Sequence, residues 1–238
     1  MKKALVSIFI FFCLLIGAVL FLYFGEVEFN HPSRAKYPVR GIDISHHQGT
    51  IDWGKVDTKK FRFVYIKATE GENFKDHQFK ASWDSAKALG LDVGAYHYST
   101  FRRSGRLQAQ NFISEVPPEK GMLPPVIDLE FTGNDRRVKT REELRFELDT
   151  LEAILYAYYG VPPIFYVSKE AYDFFLSGSY KRNLIWIRNV YYKPVLSDGR
   201  KWMLWQYSSR GKVAGFTSPV DMNVFNGTLQ EYEALKKK

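Results

Sequence analysis

Eight short runs of β-branched and aromatic residues recur along the chain, each bounded by glycine, proline or polar residues. Runs of this length and composition are typical of buried β-strands. Amphipathic stretches separate several of them, and an alternation of strand and helix favours parallel strands joined by crossover helices. The predicted strands are Gly41 to Ser45, Phe63 to Thr69, Asp92 to Tyr98, Pro125 to Glu130, Pro163 to Ser168, Leu184 to Val190, Met203 to Tyr207 and Val220 to Phe225.

The stretches between the first five strands have the spacing of helices. The longest, Thr140 to Tyr159, opens with Thr140 and Glu143, a capping-box pair. After Leu184 the connections are short and rich in Gly, Pro, Ser and Lys, which predicts few helices there. We therefore expect an α/β fold, a modified TIM-like barrel whose last three strands have lost most of their helices and whose catalytic groups gather at the carboxyl ends of the strands. The other predicted helices are Asp76 to Leu89, Gly105 to Val116 and Lys169 to Leu176.

An uncharged apolar run extends from Ala4 to Phe24. As a helix this run would reach about 31 Å, the thickness of a bilayer's hydrocarbon core. It exceeds the core of a usual secretory signal and lacks a small-x-small cleavage site, which favours an uncleaved anchor over a cleaved signal and a secreted domain. Lys2 and Lys3 precede the run and acidic residues follow it, which predicts a cytoplasmic N-terminus and an external domain. The expected parts are a transmembrane signal-anchor over 1–24, a linker over 25–40 and a barrel domain over 41–238.

Composition narrows the class of protein further. There are 34 Lys and Arg against 26 Asp and Glu, a formal net charge of +8, and one cysteine. A single thiol excludes a disulfide scaffold and a cysteine-ligated zinc module. The basic excess suits an anionic polymer or surface, or serves solubility alone. No basic and aromatic module of the nucleic-acid-binding type is present, so no nucleic-acid partner is expected.

Two acidic residues end the fourth predicted strand, in the run Pro125 to Glu130. Asp128 and Glu130 are two residues apart, so in a strand they share one face, about 6.6 Å apart. Two close carboxylates raise one another's proton affinity and leave one protonated near neutral pH. Glycoside hydrolysis needs such an acid to protonate the leaving oxygen. The alternative is an edge-strand pair that faces solvent.

Two more aspartates interrupt apolar strands. Asp43 lies in the first strand and Asp221 in the last. Aspartate is disfavoured inside strands, so each calls for a functional reason or for a role as a turn cap at a strand end. Closure of a barrel would bring the first and last strands together, and these two side chains with them.

Aromatic and amide side chains near the strand ends suggest a sugar-binding cleft, although any single ring can instead belong to the core. His46 and His47 are adjacent, so their side chains diverge on a strand, and no third ligand lies at a zinc spacing. We therefore expect no metal. Motifs for a nucleophile elbow and for a Gly-rich phosphate loop are also missing, and no cofactor is expected. The candidate cleft residues are Tyr96, His97, Tyr98, Phe101, Tyr166, Trp186, Trp205, Gln206 and Tyr207.

Several motifs, in order along the chain, resemble the glycoside hydrolase family 25 lysozymes, or N-acetylmuramidases. Any one of them is weak evidence, whereas the ordered set spans nearly the whole predicted domain. The matching stretches are GIDISHHQG from Gly41 with Ile51-Asp52-Trp53, FVYIKATEG from Phe63, GAYHY from Gly94, Asp128-Leu129-Glu130, Trp205-Gln206-Tyr207 and Val220-Asp221-Met222-Asn223.

The resemblance implies a (β/α)5(β)3 barrel that hydrolyses the β-1,4 bond between N-acetylmuramic acid and N-acetylglucosamine in peptidoglycan. It implies that Glu130 is the general acid and that Asp128 orients the substrate's acetamido group. Asp43 and Asp221 match the family's other two active-site aspartates, and Glu70, within the second motif, joins the cleft residues as a candidate substrate contact.

Two positions depart from the family pattern. His47 stands where the family commonly has Trp, and Arg188 follows Trp186 where a small residue is usual. Both substitutions bear on the width of the substrate cleft or on which cross-linked cell wall the enzyme accepts as a substrate. Neither replaces one of the four carboxylates. The expected function is a muramidase that acts outside the cytoplasmic membrane. The alternatives are a catalytically silent peptidoglycan-binding barrel and a chitinase-like glycosidase, and the oligomeric state stays open.

Overall fold

The computed structural model describes the backbone of residues 2–24 and 28–236, with the side chains of residues 5–19, 21 and 28–236. All eight predicted strands are present, and a short additional strand, β3, follows the second of them. The strands are β1 (Arg40–Ile44), β2 (Phe63–Glu70), β3 (Phe74–Lys75), β4 (Asp92–Tyr98), β5 (Val126–Leu129), β6 (Ile164–Ser168), β7 (Ile185–Arg188), β8 (Leu204–Gly211) and β9 (Val220–Phe225).

The strands form a closed barrel in the order β1-β9-β8-β7-β6-β5-β4-β2, and β1 pairs with β2 to complete the ring. Every pair from β1–β2 round to β7–β8 is parallel, which confirms the expectation for the early strands. The last strand, β9, runs antiparallel to both of its neighbours. The connection between β8 and β9 is too short for the crossover that a parallel pair requires.

Helices cover the outside of the barrel after its second to fifth strands. Helix α4 begins at the predicted capping box of Thr140 and Glu143 and ends at Gly160, whose φ of 73° is left-handed. The first connection departs from the expected five β/α units, because it holds only the 3₁₀ turns His46–Gln48 and Trp53–Lys55, with Gly49 between them at a φ of 67°. The α-helices are α1 (Lys2–Phe24), α2 (Phe79–Ala88), α3 (Gly105–Glu115), α4 (Arg141–Tyr159), α5 (Lys169–Ala171, continued as a π-helix over Tyr172–Leu176) and α6 (Leu229–Glu233).

Two apolar cores result from the two faces of the barrel strands. One lies between the barrel and the helices and includes the buried leucines of α4. The other fills the barrel itself with large rings, among them Phe63, Tyr65 and Trp186. Tyr232 of α6 closes the amino end, with its ring 5.9 Å from that of Phe63 and its hydroxyl 3.0 Å from Asp92. The barrel is therefore solid at its amino end, which leaves the carboxyl end for a site.

The predicted anchor lies in helix α1, Lys2–Phe24. Among the residues that the structure describes, no helix satisfies the length and apolarity needed to cross a membrane. The anchor is thus not confirmed and stays a prediction. Gly25 to Val27 of the predicted linker, with the acidic residue Glu26 used to orient it, lie outside the described residues.

The remainder of the predicted linker, residues 28–40, packs against the barrel. Glu28 accepts a hydrogen bond of 2.9 Å from the Ser208 hydroxyl on β8. Tyr37 is 4% exposed and stacks on Trp202, with ring centroids 6.1 Å apart. The folded unit therefore begins before β1, because this arm covers apolar rings on the outside of the last strands.

A glycine at the start of α3 sets how closely that helix approaches α4. A Cβ atom built on Gly105 would overlap the carbonyl oxygen of Glu147, a backbone atom that cannot swing away. We predict that Gly105→Ala lowers the free energy of unfolding by at least about 2 kcal/mol, measured by urea denaturation. Gly54→Ala is the matched control, since its new Cβ meets nothing nearer than 3.4 Å. Equal stability of Gly105→Ala and the unmutated protein would contradict the prediction.

Candidate active site

The four predicted catalytic carboxyls meet at the carboxyl end of the barrel. Alternation along each strand turns Asp43, Asp128 and Asp221 inward, and Glu130 follows directly after β5. They line one open cavity of about 390 Å³. The other residues that line it are Ile44, Ser45, His47, Gln48, Lys67, Tyr96, Tyr98, Val126, Tyr166, Trp186, Ser209 and Pro219.

Asp43 and Asp221 form a directly opposed pair. Residue 43 of β1 faces residue 221 of β9 in the antiparallel register, and the two carboxyls interact electrostatically. Burial, and then the charge of Asp221, raise the pKa of Asp43 well above its usual value. Burial also raises the pKa of Asp221 to about 6. Two buried carboxyls in contact cannot both ionise cheaply, so the pair holds a proton near neutral pH.

Asp128 and Glu130 form the second pair. Burial, followed by the charge of Glu130, raises the pKa of Asp128 well above its usual value, and burial also raises the pKa of Glu130. Desolvation raises the pKa of Glu130, whereas the spacing alone predicts that repulsion between Asp128 and Glu130 raises it. The Oδ1 atom of Asp128 is buried and has no hydrogen-bond partner among the described residues. An unsatisfied buried carboxyl oxygen facing a cavity is suited to accept a hydrogen bond from a ligand.

Two cations balance these acids. Lys67, 6% exposed on β2, donates a hydrogen bond of 2.6 Å to Glu70 and lies 5.0 Å from the centre of the Tyr98 ring. It lowers the pKa of Asp128, whereas Arg188 at the end of β7 lowers the pKa values of Glu130 and Asp221. The site therefore contains a graded set of carboxyls rather than four equivalent ones.

Four of the predicted substrate contacts line the cavity: Tyr96, Tyr98, Tyr166 and Trp186. Burial raises the pKa values of Tyr96 and Tyr166 well above normal, so their hydroxyls stay protonated and act as hydrogen-bond donors. The Tyr166 and Trp186 rings meet edge to face, 5.0 Å apart. Rings and hydroxyls of this kind suit a sugar, whose C–H faces pack on rings while its hydroxyls take polar partners.

His97 and Trp205 are corrections, because the structure turns both away from the cavity. His97 follows the inward-facing Tyr96 and therefore points outward, where it contacts Thr69 at 2.7 Å and Gln108 at 3.2 Å. Its burial lowers its pKa to about 4. Trp205 likewise points outward, with its Nε1 donating to the Asn189 carbonyl oxygen at 2.8 Å. Strand alternation is the physical reason in both cases.

Gln206 and Glu70 lie beside the cavity rather than on its lining. Gln206 accepts a hydrogen bond of 2.6 Å from the Tyr166 hydroxyl and donates one of 2.6 Å to Asp221. Gln206 therefore fixes the orientation of two lining residues. Glu70 accepts the hydrogen bond from Lys67 and lines a smaller neighbouring cavity of about 270 Å³.

Two residues that the sequence patterns did not single out organise the site. Asn223 donates a hydrogen bond of 2.6 Å to Asp43 and accepts one of 2.8 Å from the Trp186 indole, so it connects the acid pair to the ring core. Lys67 is the other. The signal for both was available, because each is a polar residue on the inward parity of an otherwise apolar strand.

His46 and His47 lie in a 3₁₀ turn rather than on a strand, so the expectation that their side chains diverge is wrong. His46 Nδ1 lies 2.8 Å from Asp76, and the His46 and His47 rings are 4.0 Å apart, with His47 on the cavity wall. Within residues whose side chains are described, no group of three or more His, Cys, Asp or Glu is arranged to hold a metal ion.

The raised pKa of Asp221 makes stability depend on pH. The folded state holds the proton up to a pKa of about 6, against 3.8 for an unperturbed Asp, so the free energy of unfolding falls as pH rises through this window. We predict that Asp221→Asn stabilises the protein by up to roughly 3 kcal/mol at pH 7.5 and by little at pH 3.5. Urea denaturation at both pH values measures the difference. The exposed Asp84→Asn serves as control, and an equal effect of Asp221→Asn at both pH values would refute the assignment.

The sequence is similar to those of several known proteins. It is 36% identical over 205 residues to the uncharacterized protein YegX of Escherichia coli K12, covering 84% of this chain and 74% of that protein. It is 32% identical over 209 residues to lysozyme M1 of Streptomyces globisporus, covering 83% of this chain and 71% of that protein.

Solved structures share the fold. A family 25 glycosyl hydrolase from Bacillus anthracis matches with a TM-score of 0.80 and 39% identity over 87% of this chain and 97% of its own. A lysozyme from Streptomyces coelicolor matches with a TM-score of 0.76 and 32% identity over 83% and 96%. Residues 42–216 match the sequence profile described as glycosyl hydrolases family 25. The chain belongs to this family, and it is a glycoside hydrolase.

Proposed function

We propose that this protein is an N-acetylmuramidase that hydrolyses the β-1,4 bond between N-acetylmuramic acid and N-acetylglucosamine in peptidoglycan. The observation that carries the proposal is the set of four carboxyls around one open cavity, two buried (Asp43 and Asp128) and two partly buried, with the pKa of Glu130 raised by desolvation. A protonated carboxyl at neutral pH is what the departing sugar oxygen requires. Lysozyme M1 and the Streptomyces coelicolor lysozyme, to which the chain is similar, are named for this kind of activity.

Digestion of purified cell walls tests this function directly. A muramidase releases fragments whose new reducing ends are muramic acid. A catalytically silent barrel would bind walls without releasing any, and a chitinase-like enzyme would cleave chitin oligosaccharides in preference to walls. Reducing-end analysis of the fragments therefore separates the three possibilities.

Glu130 is proposed as the general acid. Glu130→Gln keeps the shape of the side chain but cannot donate the proton, so we predict a loss of roughly 10² to 10⁴-fold in wall hydrolysis with folding and glycan binding retained. Glu170→Gln, on an exposed carboxylate that pairs with Arg136, is the matched control and should keep full activity. Glu130 would lose the acid role if its variant kept more than about a tenth of the turnover.

Asp128 is proposed to accept a hydrogen bond from the acetamido N–H of the substrate through its unpartnered Oδ1. The acetamido carbonyl oxygen is then free to attack the anomeric carbon, as the bond to the leaving oxygen breaks and that oxygen takes the Glu130 proton. Water then attacks the anomeric carbon from the face that the leaving group left, the bond to the acetamido oxygen breaks, and the Glu130 carboxylate takes the proton that the water loses, which gives retention. The competing scheme makes Asp43 or Asp221 the base for water on the opposite face, which gives inversion.

The stereochemistry of the first product decides between these schemes. We predict that proton NMR, recorded before mutarotation, detects the β-anomer of the new reducing sugar. We also expect Asp128→Asn to slow hydrolysis strongly, because the cationic intermediate loses its partner charge. An initial α-anomer would exclude the substrate-assisted route and assign the base role to the Asp43 and Asp221 pair.

The domain is proposed to work outside the cytoplasmic membrane, where the wall lies, with the N-terminal segment as its signal-anchor. The uncharged run from Ala4 to Phe24, preceded by Lys2 and Lys3, supports this location. The arm over residues 28–40 would then connect the membrane directly to the outside of the barrel.

We predict that a chain without Met1–Phe24 is soluble and active, because it keeps the arm and the whole barrel. Fractionation should find the full chain in the membrane and the shortened chain outside it. A chain that begins at Gly41 is the comparison, and it should melt lower because it loses the buried Tyr37 and Val39. A folded but inactive chain without Met1–Phe24 would give the apolar segment a role in catalysis or assembly.

A further inference from the structure

Arg188 stands at the mouth of the barrel with its side chain on the inner face. Trp186, two residues earlier on β7, points into the barrel and hydrogen-bonds to Asn223. Residues two apart on a strand share a face, so Arg188 lies one layer nearer the mouth. In the parallel register it lies between Ser168 of β6 and Gln206 of β8. It is only partly buried and is not among the residues that line the cavity, and its register at the carboxyl end of β7 places it on the mouth side of Trp186.

The charge of Arg188 acts on three of the four carboxyls. It is the largest single charge acting on Glu130 and on Asp221, and it also lowers the pKa of Asp43. Yet its side chain makes neither a hydrogen bond nor an ion pair with any other residue that the structure describes. The five N–H donors of the guanidinium are therefore left for a ligand.

The chemistry of the proposed substrate supplies a matching group. Every muramic acid residue carries a lactyl ether, whose carboxyl is either free or joined by an amide to a peptide that bears carboxylates of its own. Such an anion would approach a mouth that contains four acidic side chains, so an unpaired cation at the rim is needed to make its approach favourable. A planar guanidinium also matches a carboxylate in a two-pronged hydrogen-bonded geometry.

We propose that Arg188 is a specificity-determining residue, which binds a carboxylate on the substituent of the muramic acid residue held in the cavity. This inference rests on the proposed muramidase function. Arg188 would select N-acetylmuramic acid over N-acetylglucosamine as the sugar held in the cavity, because N-acetylglucosamine has no acidic substituent.

Three substrates test the proposal with the full-length protein. The first is peptide-free glycan strands with free lactyl carboxylates, the second is the same strands with these groups reduced to alcohols, and the third is peptide-bearing strands. The unmutated enzyme should favour the first over the second in kcat/KM by roughly ten- to hundredfold, the range of a charge-assisted hydrogen-bonded pair. Arg188→Gln should abolish that preference. Arg188→Lys should keep part of it, because lysine retains the positive charge but cannot form the bidentate hydrogen bonds of a guanidinium.

Lys181→Gln is the matched control. Lys181 is exposed, precedes β7 at the opposite end of the barrel and has the same charge, so its variant should keep the full preference. Thermal denaturation of each variant by circular dichroism establishes that it is folded.

Each outcome decides the proposal. A loss confined to the free-carboxylate strands assigns the lactyl group as the ligand, and a loss confined to the peptide-bearing strands assigns a peptide carboxylate. An equal loss on all three substrates would mean that Arg188 acts through the catalytic acids, which overturns the proposal. An unmutated enzyme that cleaves neither the free-carboxylate nor the peptide-bearing strands better than the reduced strands would overturn it as well. An unmutated enzyme that cleaves none of the three refutes the muramidase function itself.

Discussion

Closure of the barrel by an antiparallel last strand is the constraint on which the site depends. Strand β9 fills the gap between β8 and β1, and its register sets Asp221 directly opposite Asp43. Asn223, two residues along β9, then reaches both Asp43 and the Trp186 indole. A slip of one residue would turn both acidic and amide groups outward, so the hydrogen bonds across this seam fix the catalytic geometry as well as the fold.

The ring core beneath the cavity supports this seam. Phe63, Tyr65 and Trp186 fill the barrel, with the Tyr65 and Trp186 rings 4.9 Å apart. Gly94 provides the space for one of them, since a Cβ atom there would overlap the Tyr65 ring. The floor of the site is therefore dense and apolar, and this density is the reason that each carboxyl above it is desolvated.

Desolvation has opposite consequences for stability and for the proposed chemistry. Burying Asp43, Asp128 and Asp221 in their charged forms would be costly, and the fold responds by holding protons and by placing Lys67 and Arg188 nearby. The same response leaves the carboxyls with unequal proton affinities, because the pKa values of Asp43 and Asp128 are raised well above normal whereas Arg188 offsets part of the rise at Glu130. The site is thus a place where the fold gives up stability and gains carboxyls of unequal acidity.

The sequence by itself determined the eight strands, most of the helices and the four carboxyls, because these depend on short-range patterns such as strand alternation and the capping box of α4. The same alternation, applied strictly, would have turned His97 and Trp205 outward and Asn223 and Lys67 inward. The tertiary structure alone decided the pairing of β9 with β1 and the packing of residues 28–40 on the barrel. Each of these depends on contacts between segments far apart in the chain, such as Tyr37 on Trp202 and Asp43 on Asp221, and a local pattern does not contain them.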